Sequence, residues 1–181
     1  MDIVLSFFGL LILLLPAMVV ALIIFLGDGH NVIFSQYRVG RYGKRFKLYK
    51  FRTMRVDAPK YMSTEEIGKM ENQVTKVGKV LRKLSLDELM QFFNVFKGDM
   101  TLVGPRPPLP QEVEYYTDYQ KLRLLVTPGI TCTWQIHKNR NDVPFEEWVE
   151  MDLDYIQNRT FPGDILIMLK TPIVMLSATG R

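Results

Sequence analysis

Two adjacent carboxylates, Asp87 and Glu88, follow Ser85 and Leu86 at the predicted start of an amphipathic helix. The first turn of a helix has unpaired backbone N–H groups and the positive end of the helix dipole, so carboxylates there stay ionised. An ionised aspartate can act as a nucleophile or bind Mg²⁺. A structural interpretation is also open, because a serine three residues before a glutamate is typical of a capping box. These four residues alone do not decide between catalysis and helix capping.

A second residue suited to phosphate chemistry is Arg106, in the proline-rich segment of residues 104–110. Each residue that precedes a proline is restricted to extended backbone geometry, so the segment is stiff. A guanidinium on a stiff backbone loses little entropy when it binds a phosphate. The alternative is a polyproline II ligand for an SH3-like partner. The apolar flanks, which are predicted to be helical, favour the phosphate interpretation.

Basic residues are concentrated in one part of the chain. The protein has 23 lysines and arginines against 19 acidic residues, and residues 29–56 contain eight basic residues and no acidic one. Such a block binds phosphates on lipid headgroups, nucleotides or nucleic acids. Aromatic residues within the block could stack on nucleobases, but the apolar segment just upstream favours headgroups. Anionic membrane lipids are therefore a predicted partner, and nucleic acid is not.

The side chains that usually bind metals are scarce. Cys132 is the single cysteine, which excludes an internal disulfide, and with only His30 and His137 the usual zinc clusters are implausible. Any metal should therefore be a hard ion that prefers oxygen ligands, such as Mg²⁺.

The N-terminal segment, residues 3–26, contains no charged side chain. A helix of this length would extend about 36 Å and could cross a hydrocarbon core of about 30 Å. Pro16 removes a backbone donor near the middle, so a bent helix could instead leave the membrane on the side where it entered. No basic residue precedes the segment, which disfavours a cleaved signal peptide. The basic block that follows predicts a cytoplasmic location for the rest of the chain.

Residues 28–181 have the size of one domain, and their pattern predicts a mostly helical α+β fold with a small β-hairpin. The hairpin is expected within residues 32–54, with its turn at residues 40–43. After Ser85, apolar residues at helical spacing predict one buried helix face, ended by Gly98: Leu86, Leu89, Met90, Phe93 and Phe96.

Further along, short strands are predicted at residues 100–103 and 130–136. Helices are predicted at residues 111–126, 145–156 and 161–178, the last with Asp164 as its N-cap and Pro172 as its kink or end.

Asp152 lies on the apolar stripe of the helix predicted at residues 145–156. A buried carboxylate without a partner is prohibitively unfavourable, so this side chain must be paired, hydrogen-bonded or metal-bound. A structural salt bridge to an arginine such as Arg140 and a role in a binding site are both open at this point.

Several short motifs occur in the order found in one protein family. They are Phe34-Ser35-Gln36 with Arg38-Val39-Gly40, Lys50-Phe51-Arg52-Thr53-Met54, Ser85-Leu86-Asp87-Glu88-Leu89, Asn94 with Lys97-Gly98-Asp99-Met100, Gly104-Pro105-Arg106-Pro107, Pro128-Gly129-Ile130-Thr131, and Asp152 with Tyr155-Ile156. With these motifs the chain resembles the monotopic phosphoglycosyl transferases, also called bacterial sugar transferases, over nearly its whole length. So many motifs in register favour catalysis over the structural interpretations.

The resemblance implies transfer of a sugar 1-phosphate from a UDP-sugar to polyprenol (undecaprenyl) phosphate, with release of UMP, as the first membrane step of bacterial glycoconjugate biosynthesis. The reaction would take place at the cytoplasmic face of the inner membrane. The resemblance also implies a reentrant helix at residues 1–27, broken at Pro16, and a catalytic domain at residues 28–181.

In the implied mechanism, Asp87 attacks the phosphate that bears the sugar and forms a covalent phosphosugar intermediate, while Glu88 assists through metal or proton handling in a Mg²⁺-dependent dyad. Arg106 and Arg82 match positions that bind phosphate. Other positions match characteristic residues of the family without a defined individual role: Lys50, Arg52, Arg140 and Asp152. The resemblance leaves open the sugar, the pathway and the oligomeric state.

Two other functions stay open in the sequence. A conventional membrane glycosyltransferase would release UDP instead of UMP. A membrane-anchored adaptor would use the basic ribbon for lipid and the proline segment for a partner, without catalysis.

Overall fold

The computed structural model describes residues 2–59, 71–137 and 143–177. The predicted α+β class is confirmed. The helices are α1 (Asp2–Asp28), α2 (Lys76–Lys83), α3 (Gln91–Phe96), α4 (Pro110–Glu114), α5 (Asp118–Lys121), α6 (Phe145–Asn158) and α7 (Phe161–Ser177). The strands are β1 (Ile33–Val39), β2 (Arg45–Phe51), β3 (Thr101–Val103) and β4 (Gly129–Thr131).

The long apolar helix α1 packs one face against the rest of the protein. Ser6, Val20 and Ile24 on this face are buried, whereas the opposite face exposes a continuous series of large apolar side chains. Pro16 lies inside α1 and does not end it. Within the described part of the chain, α1 is the one helix long and apolar enough to cross a membrane, by length and composition only.

The predicted hairpin is present. Strands β1 and β2 pair antiparallel, from Ile33 opposite Phe51 to Val39 opposite Arg45, and a 3₁₀ turn at Arg41–Gly43 joins them. In β2, Phe46 and Leu48 are buried at alternate positions, as expected for a strand with one packed face. Phe51, at the end of the strand, breaks the alternation and is buried against α1 and α2 instead. The hairpin therefore presents Lys50 at a fixed position near the end of β2.

The segment after Ser85 differs from the predicted single helix. Leu86–Met90 is a 3₁₀ helix, and α3 follows it directly. Because a 3₁₀ helix has about three residues per turn, the buried face shifts relative to the α-helical spacing. The buried residues of α3 are Gln91, Asn94 and Val95, whereas Phe93 and Phe96 are exposed. Gly98 has φ 82°, as expected for the glycine that ends a helix.

Asn94 connects α3 to the hairpin. Its side-chain amide donates to the Lys47 carbonyl at 2.7 Å, and its carbonyl oxygen accepts from the Tyr49 amide at 3.1 Å. The side chain is fully buried, so these bonds are shielded from water. Asn94 thereby sets the position of the 3₁₀ helix that carries Asp87 relative to β2, which carries Lys50.

Strands β3 and β4 form a short parallel ladder that supports the proline-rich segment. The backbones of Gly104 and Gly129 approach so closely that a Cβ atom on Gly129 would lie 2.1 Å from the Gly104 nitrogen. Only glycine fits such an approach. Gly129 N donates to the Pro105 carbonyl at 2.9 Å and Gly104 N to the Thr131 carbonyl at 3.0 Å.

Three further predictions, about a helix, a strand and an N-cap, were wrong. The helix predicted at residues 111–126 is divided into α4, α5 and a 3₁₀ turn at Leu122–Leu125, and the strand predicted at residues 130–136 ends at Thr131. Asp164 is not the N-cap of α7, which begins at Phe161 and continues through Pro172. Asp164 instead accepts from Tyr155 at 2.7 Å and from Arg159 at 3.0 Å, because its carboxylate is buried against α6.

The apolar interior has two clusters. One joins the hairpin, α3, β3, α6 and α7 around buried residues such as Val95, Val103 and Tyr155. The other joins α1 to the hairpin end and to α2, through Val20, Ile24, Phe51 and Leu81. The contact between α1 and the rest of the protein is therefore itself a packed apolar cluster.

Candidate active site

Asp87 lies on the 3₁₀ helix with 9% of its surface exposed. The preceding Ser85 adopts the left-handed conformation, with φ 54° and ψ 23°, which is uncommon for a residue other than glycine. No lysine or arginine of the described residues forms an ion pair with Asp87. Its carboxylate is therefore not consumed by a structural salt bridge.

Glu88, in contrast, is tightly paired. Lys50 Nζ donates to Glu88 Oε1 at 2.6 Å, and Arg106 Nη1 lies 4.0 Å from the same oxygen. Burial acts to raise the pKa of Glu88, but Lys50, Arg106 and Arg38 outweigh it and lower the pKa to about 2. Glu88 therefore stays ionised at any physiological pH.

The capping box at Ser85 and Glu88, which the sequence left open as a structural alternative, is absent. Ser85 makes no side-chain hydrogen bond to the helix start. Glu88 is not available for the second bond of such a box, because its carboxylate binds the Lys50 ammonium.

The pKa of Asp87 is shifted in the opposite direction, to about 6. Burial is the largest cause, and the neighbouring charge of Glu88 adds to it, while Lys50 and Arg82 partly offset both. Two adjacent carboxylates with pKa values pushed apart in this way are typical of catalytic sites.

Strand β1 holds the proline-rich segment through two hydrogen bonds. Arg38 Nη1 donates to the Pro107 carbonyl at 3.2 Å, and Val39 N donates to the Pro108 carbonyl at 3.0 Å. Burial, followed by repulsion from Arg106, lowers the pKa of Arg38 to about 10, which leaves it charged at neutral pH. Arg38 therefore holds the backbone that presents Arg106.

Arg82 lies in the last turn of α2. Its Nε donates to Thr53 Oγ1 at 2.9 Å, and it attracts Asp87. Burial lowers the pKa of Arg82 and Asp87 raises it in turn. Helix α2 lies very close to this loop, because a Cβ on Gly78 would lie 2.0 Å from the Thr53 carbonyl oxygen. Arg52 precedes Thr53, at the end of β2, where its amide donates to the Val32 carbonyl.

The structure thus brings together five of the predicted site residues: Asp87, Glu88, Lys50, Arg82 and Arg106. With Arg38, four cations surround two carboxylates, which leaves a surplus of two positive charges (four minus two). Such a surplus at a partly buried site favours a polyanion such as a diphosphate.

Among the described residues, Asp152 does not contact those around Asp87 directly, but its partner Arg123 binds Tyr116, which acts on the pKa of Arg38. Arg123 donates to Asp152 Oδ2 from Nε at 2.7 Å and lies 2.6 Å away through Nη2. The structure therefore pairs Asp152 with Arg123, and Arg140, the arginine suggested from the sequence, lies outside the described residues. Arg123 also donates to the Tyr116 hydroxyl at 3.1 Å. This is the structural salt bridge that the sequence had left open.

Asp87 and Glu88 can bind Mg²⁺ only together with ligands from outside the protein, such as substrate phosphates and water. Among the residues described, no group of three or more histidine, cysteine, aspartate or glutamate side chains could hold a metal. Mg²⁺ typically uses one or two carboxylates together with substrate phosphates and water. Asp87, and the Glu88 oxygen that does not bind Lys50, can supply that protein share.

Three residues that position the site were not among the predicted site residues: Arg38, Asn94 and Arg123. Arg38 and Asn94 lie in motifs that match the family, so the signal was present although no role followed from it. The sequence around Arg123 did not indicate its role, because its partner Asp152 lies 29 positions away in the chain.

Comparison with known proteins identifies the family of the chain. A family model for bacterial sugar transferases matches residues 1–178, and the chain belongs to this family. Similar proteins include galactosyl transferase CpsE of Streptococcus agalactiae, which is 48% identical over 84% of the chain and 36% of its own length. The undecaprenyl-phosphate galactose phosphotransferase of Salmonella typhimurium is 41% identical over 84% of the chain and 35% of its own length.

The chain spans only about a third of these two relatives. It matches more of the exopolysaccharide production protein ExoY of Rhizobium meliloti, which is 40% identical over 88% of the chain and 76% of its own length.

Proposed function

We propose that the protein transfers a sugar 1-phosphate from a UDP-sugar to polyprenol phosphate, such as undecaprenyl phosphate, and releases UMP. The observation that carries this proposal is the placement of Asp87, a carboxylate without an ion pair among the described residues, on a 3₁₀ helix that contacts the apolar helix α1. Lys50 and Arg82 act on Asp87, and Arg106 and Arg38 act on the adjacent Glu88. A nucleophile, a polyanion site and contact with lipid are the three things that this reaction needs. The name of the Salmonella relative, an undecaprenyl-phosphate galactose phosphotransferase, supports the acceptor.

In the first half-reaction, an Asp87 carboxylate oxygen attacks the phosphorus that bears the sugar. An O–P bond forms to Asp87 and the bond from that phosphorus to the bridging oxygen breaks, so UMP leaves with the electron pair on that oxygen. Arg106, Arg82 and Lys50 lie where they can offset the charge of the diphosphate and of the leaving UMP.

In the second half-reaction, an oxygen of polyprenol phosphate attacks the same phosphorus and the bond to Asp87 breaks. The product is a polyprenyl diphosphate sugar, and the Asp87 carboxylate is regenerated. Mg²⁺, held by Asp87 and Glu88 together with the phosphates, would supply additional positive charge at the reacting phosphoryl group. Glu88 stays ionised throughout, and its pairing with Lys50 fixes that ammonium near the reacting phosphate.

The contacts of α1 support a helix that enters and leaves the membrane on one side. Asp2 accepts a hydrogen bond from Thr101 at the start of α1, and Ile24 packs with Phe51 and Leu81 near its end. A spanning helix would place its ends on opposite sides of a core about 30 Å thick, so one domain could not contact both. The basic hairpin would face anionic lipids at the cytoplasmic surface of the bacterial inner membrane.

Identification of the leaving nucleotide tests the proposal. The protein would be purified in lipid nanodiscs and incubated with undecaprenyl phosphate, Mg²⁺ and either UDP-galactose or UDP-glucose, and nucleotides would be separated by chromatography. UMP, formed together with a lipid-linked sugar diphosphate, is the expected product. Release of UDP would indicate a conventional glycosyltransferase, and no release with a wider set of UDP-sugars would favour the adaptor.

The rate of the first half-reaction should depend on the ionisation of Asp87. Because the pKa of Asp87 is raised to about 6, the nucleophilic form is lost as the pH falls through this value. We expect the rate of UMP release to be constant above about pH 7 and to fall about tenfold per pH unit well below pH 6. Rapid-quench measurement of UMP between about pH 4.5 and about pH 8.5 gives this profile.

A substitution of Lys50 tests the same pH profile, and a substitution of Lys47 is its control. Lys50→Met removes a positive charge that lowers the pKa of Asp87, so the midpoint should move to higher pH. Lys47→Met, on the same strand but with an exposed side chain, should leave the midpoint unchanged. A wild-type midpoint near pH 4, roughly the ordinary range of an aspartate, would contradict the role of burial.

A further inference from the structure

Helix α2 and its C-cap present an exposed stripe that combines lysines with apolar side chains. The spacing of these exposed residues places them on one face of the helix, and they are here called the lysine stripe: Lys76, Lys79, Val80, Lys83 and Leu84. The opposite face of α2 is buried through Gly78 and Leu81, and Arg82 donates to Thr53. The three lysines of the stripe therefore take no part in packing α2 onto the rest of the domain.

The positive charge of the lysine stripe is not balanced within the described part of the protein. Helix α2 contains four basic residues and no acidic residue. None of Lys76, Lys79 and Lys83 forms an ion pair with another described residue. By contrast, Lys97 and Lys121 on other surfaces each lie close to a carboxylate, at 2.9 Å and 3.1 Å. The stripe thus offers three ammonium groups to an anionic partner.

Val80 connects the lysine stripe to the apolar helix α1. Its side chain is 56% exposed and lines an open apolar groove whose other wall belongs to α1. Leu15, Val19 and Ile23 on that wall are also exposed, and α1 is long and apolar enough to enter a membrane. Because these α1 side chains belong in hydrocarbon, Val80 beside them lies at the edge of the hydrocarbon layer. The lysines of the same stripe then reach the lipid headgroups.

We propose that the lysine stripe binds the headgroups of anionic phospholipids, with Val80 and Leu84 at the edge of the acyl chains. Lysines placed around apolar residues on one helix face are typical of helices that lie in the plane of a membrane surface. Each lysine close to an anionic surface favours binding by about fivefold. The stripe is a surface separate from the hairpin, and the inference does not depend on the reaction catalysed at Asp87.

An acidic protein segment is the alternative occupant, because it would satisfy the same three charges. The position of Val80 favours lipid. A protein seated on the stripe would cover a groove that opens along the exposed apolar side of α1, where hydrocarbon already lies.

Amine acetylation in nanodiscs tests the contact on the wild-type protein. The discs would contain phosphatidylcholine alone or an equal mixture with phosphatidylglycerol, and mass spectrometry would give the acetylation rate of each lysine. An anionic surface favours the charged ammonium, so the reactive neutral amine becomes rarer. We expect Lys76, Lys79 and Lys83 to react at least about threefold more slowly in the mixed discs, and about 1 M salt to remove the difference. Lys121 should react equally in both discs.

Two results of this experiment would overturn the proposal. Equal rates for the stripe lysines in both discs would show a surface that faces the cytoplasm, open to an acidic protein. Slowing of Lys121 to the same extent would show an effect of the whole disc and not a contact of the stripe.

Two charge-matched variants test whether the stripe recruits the lipid. Lys79→Gln/Lys83→Gln and Lys97→Gln/Lys121→Gln each remove two positive charges, but the lysines of the second variant already have carboxylate partners. Each protein would be excised with styrene maleic acid copolymer from vesicles of the equal mixture, and its lipids quantified. We expect an excess of phosphatidylglycerol around wild type and the second variant, and loss of at least about half of that excess from the first. Equal enrichment around all three proteins would contradict the proposal.

Discussion

Replacement of Asp87 by asparagine is expected to abolish turnover and at the same time to make the folded protein more stable at pH 8. The amide cannot form the acyl-phosphate bond, so UMP release should fall by at least about 10³-fold. The stability effect has the opposite sign because ionised Asp87 is unfavourable in its buried position. Its pKa is about 6 in the folded protein against an ordinary value of 3.8.

The pH dependence follows from this difference. A carboxyl group with a raised folded-state pKa stabilises the fold fully below its unfolded pKa and loses that contribution as the pH rises through the folded value. At pH 8 the contribution is lost, whereas the uncharged amide of the Asp87→Asn variant avoids the loss. The free energy of unfolding should therefore rise by up to about 3 kcal/mol at pH 8, at about 1.36 kcal/mol per pKa unit.

Denaturant unfolding in detergent, at pH 8 and at about pH 3, measures this difference, which should nearly disappear at about pH 3, below the ordinary pKa of 3.8. Asp154→Asn is the control, because Asp154 is an exposed carboxylate on α6 and should change neither stability nor UMP release appreciably. An Asp87→Asn protein that keeps its UMP release would end the proposed mechanism. One that is inactive but strongly destabilised would show that the carboxylate is structural.

The second large effect is expected at the buried ion pair of Asp152 and Arg123. Asp152 is 1% exposed, and Asp152→Ala leaves the Arg123 guanidinium buried without its counter-charge. Removal of one partner of a buried pair costs about 3–5 kcal/mol. The measurement is the free energy of unfolding of the variant in detergent.

The double variant Arg123→Met/Asp152→Leu distinguishes a structural role of Asp152 from the predicted role in substrate binding. Replacement of both charges by apolar groups of similar size is often nearly neutral for stability, so the double variant should recover most of the loss. If the role of Asp152 is structural, the double variant also recovers the release of UMP that Asp152→Ala loses. A stable double variant that releases no UMP would instead support direct contact between Asp152 and the substrate.

Local features of the fold were accessible from the sequence because neighbouring residues encode them. The hairpin follows from alternating apolar residues in β2 and from the turn at residues 40–43, and Gly98 marks the end of α3 through its positive φ. The capping box at Ser85, an alternative that the sequence left open, is absent for the complementary reason. That interpretation considered only residues within one turn, whereas the partner of Glu88 is Lys50, 38 positions away.

The same contrast applies to the site as a whole. By itself, the sequence determined the α+β class, the uncharged helix, and the identity of the acidic dyad with its candidate cations Lys50, Arg82 and Arg106. Residue types and short spacings carry that information, except for Lys50 and Arg82, which followed from the resemblance to the family. Only the tertiary structure decided that Lys50 binds Glu88 and leaves Asp87 without an ion pair among the described residues, that Arg123 pairs with Asp152, and that α1 and α2 enclose a groove. These arrangements depend on packing between distant segments, whose contacts lower the free energy only once the chain has folded.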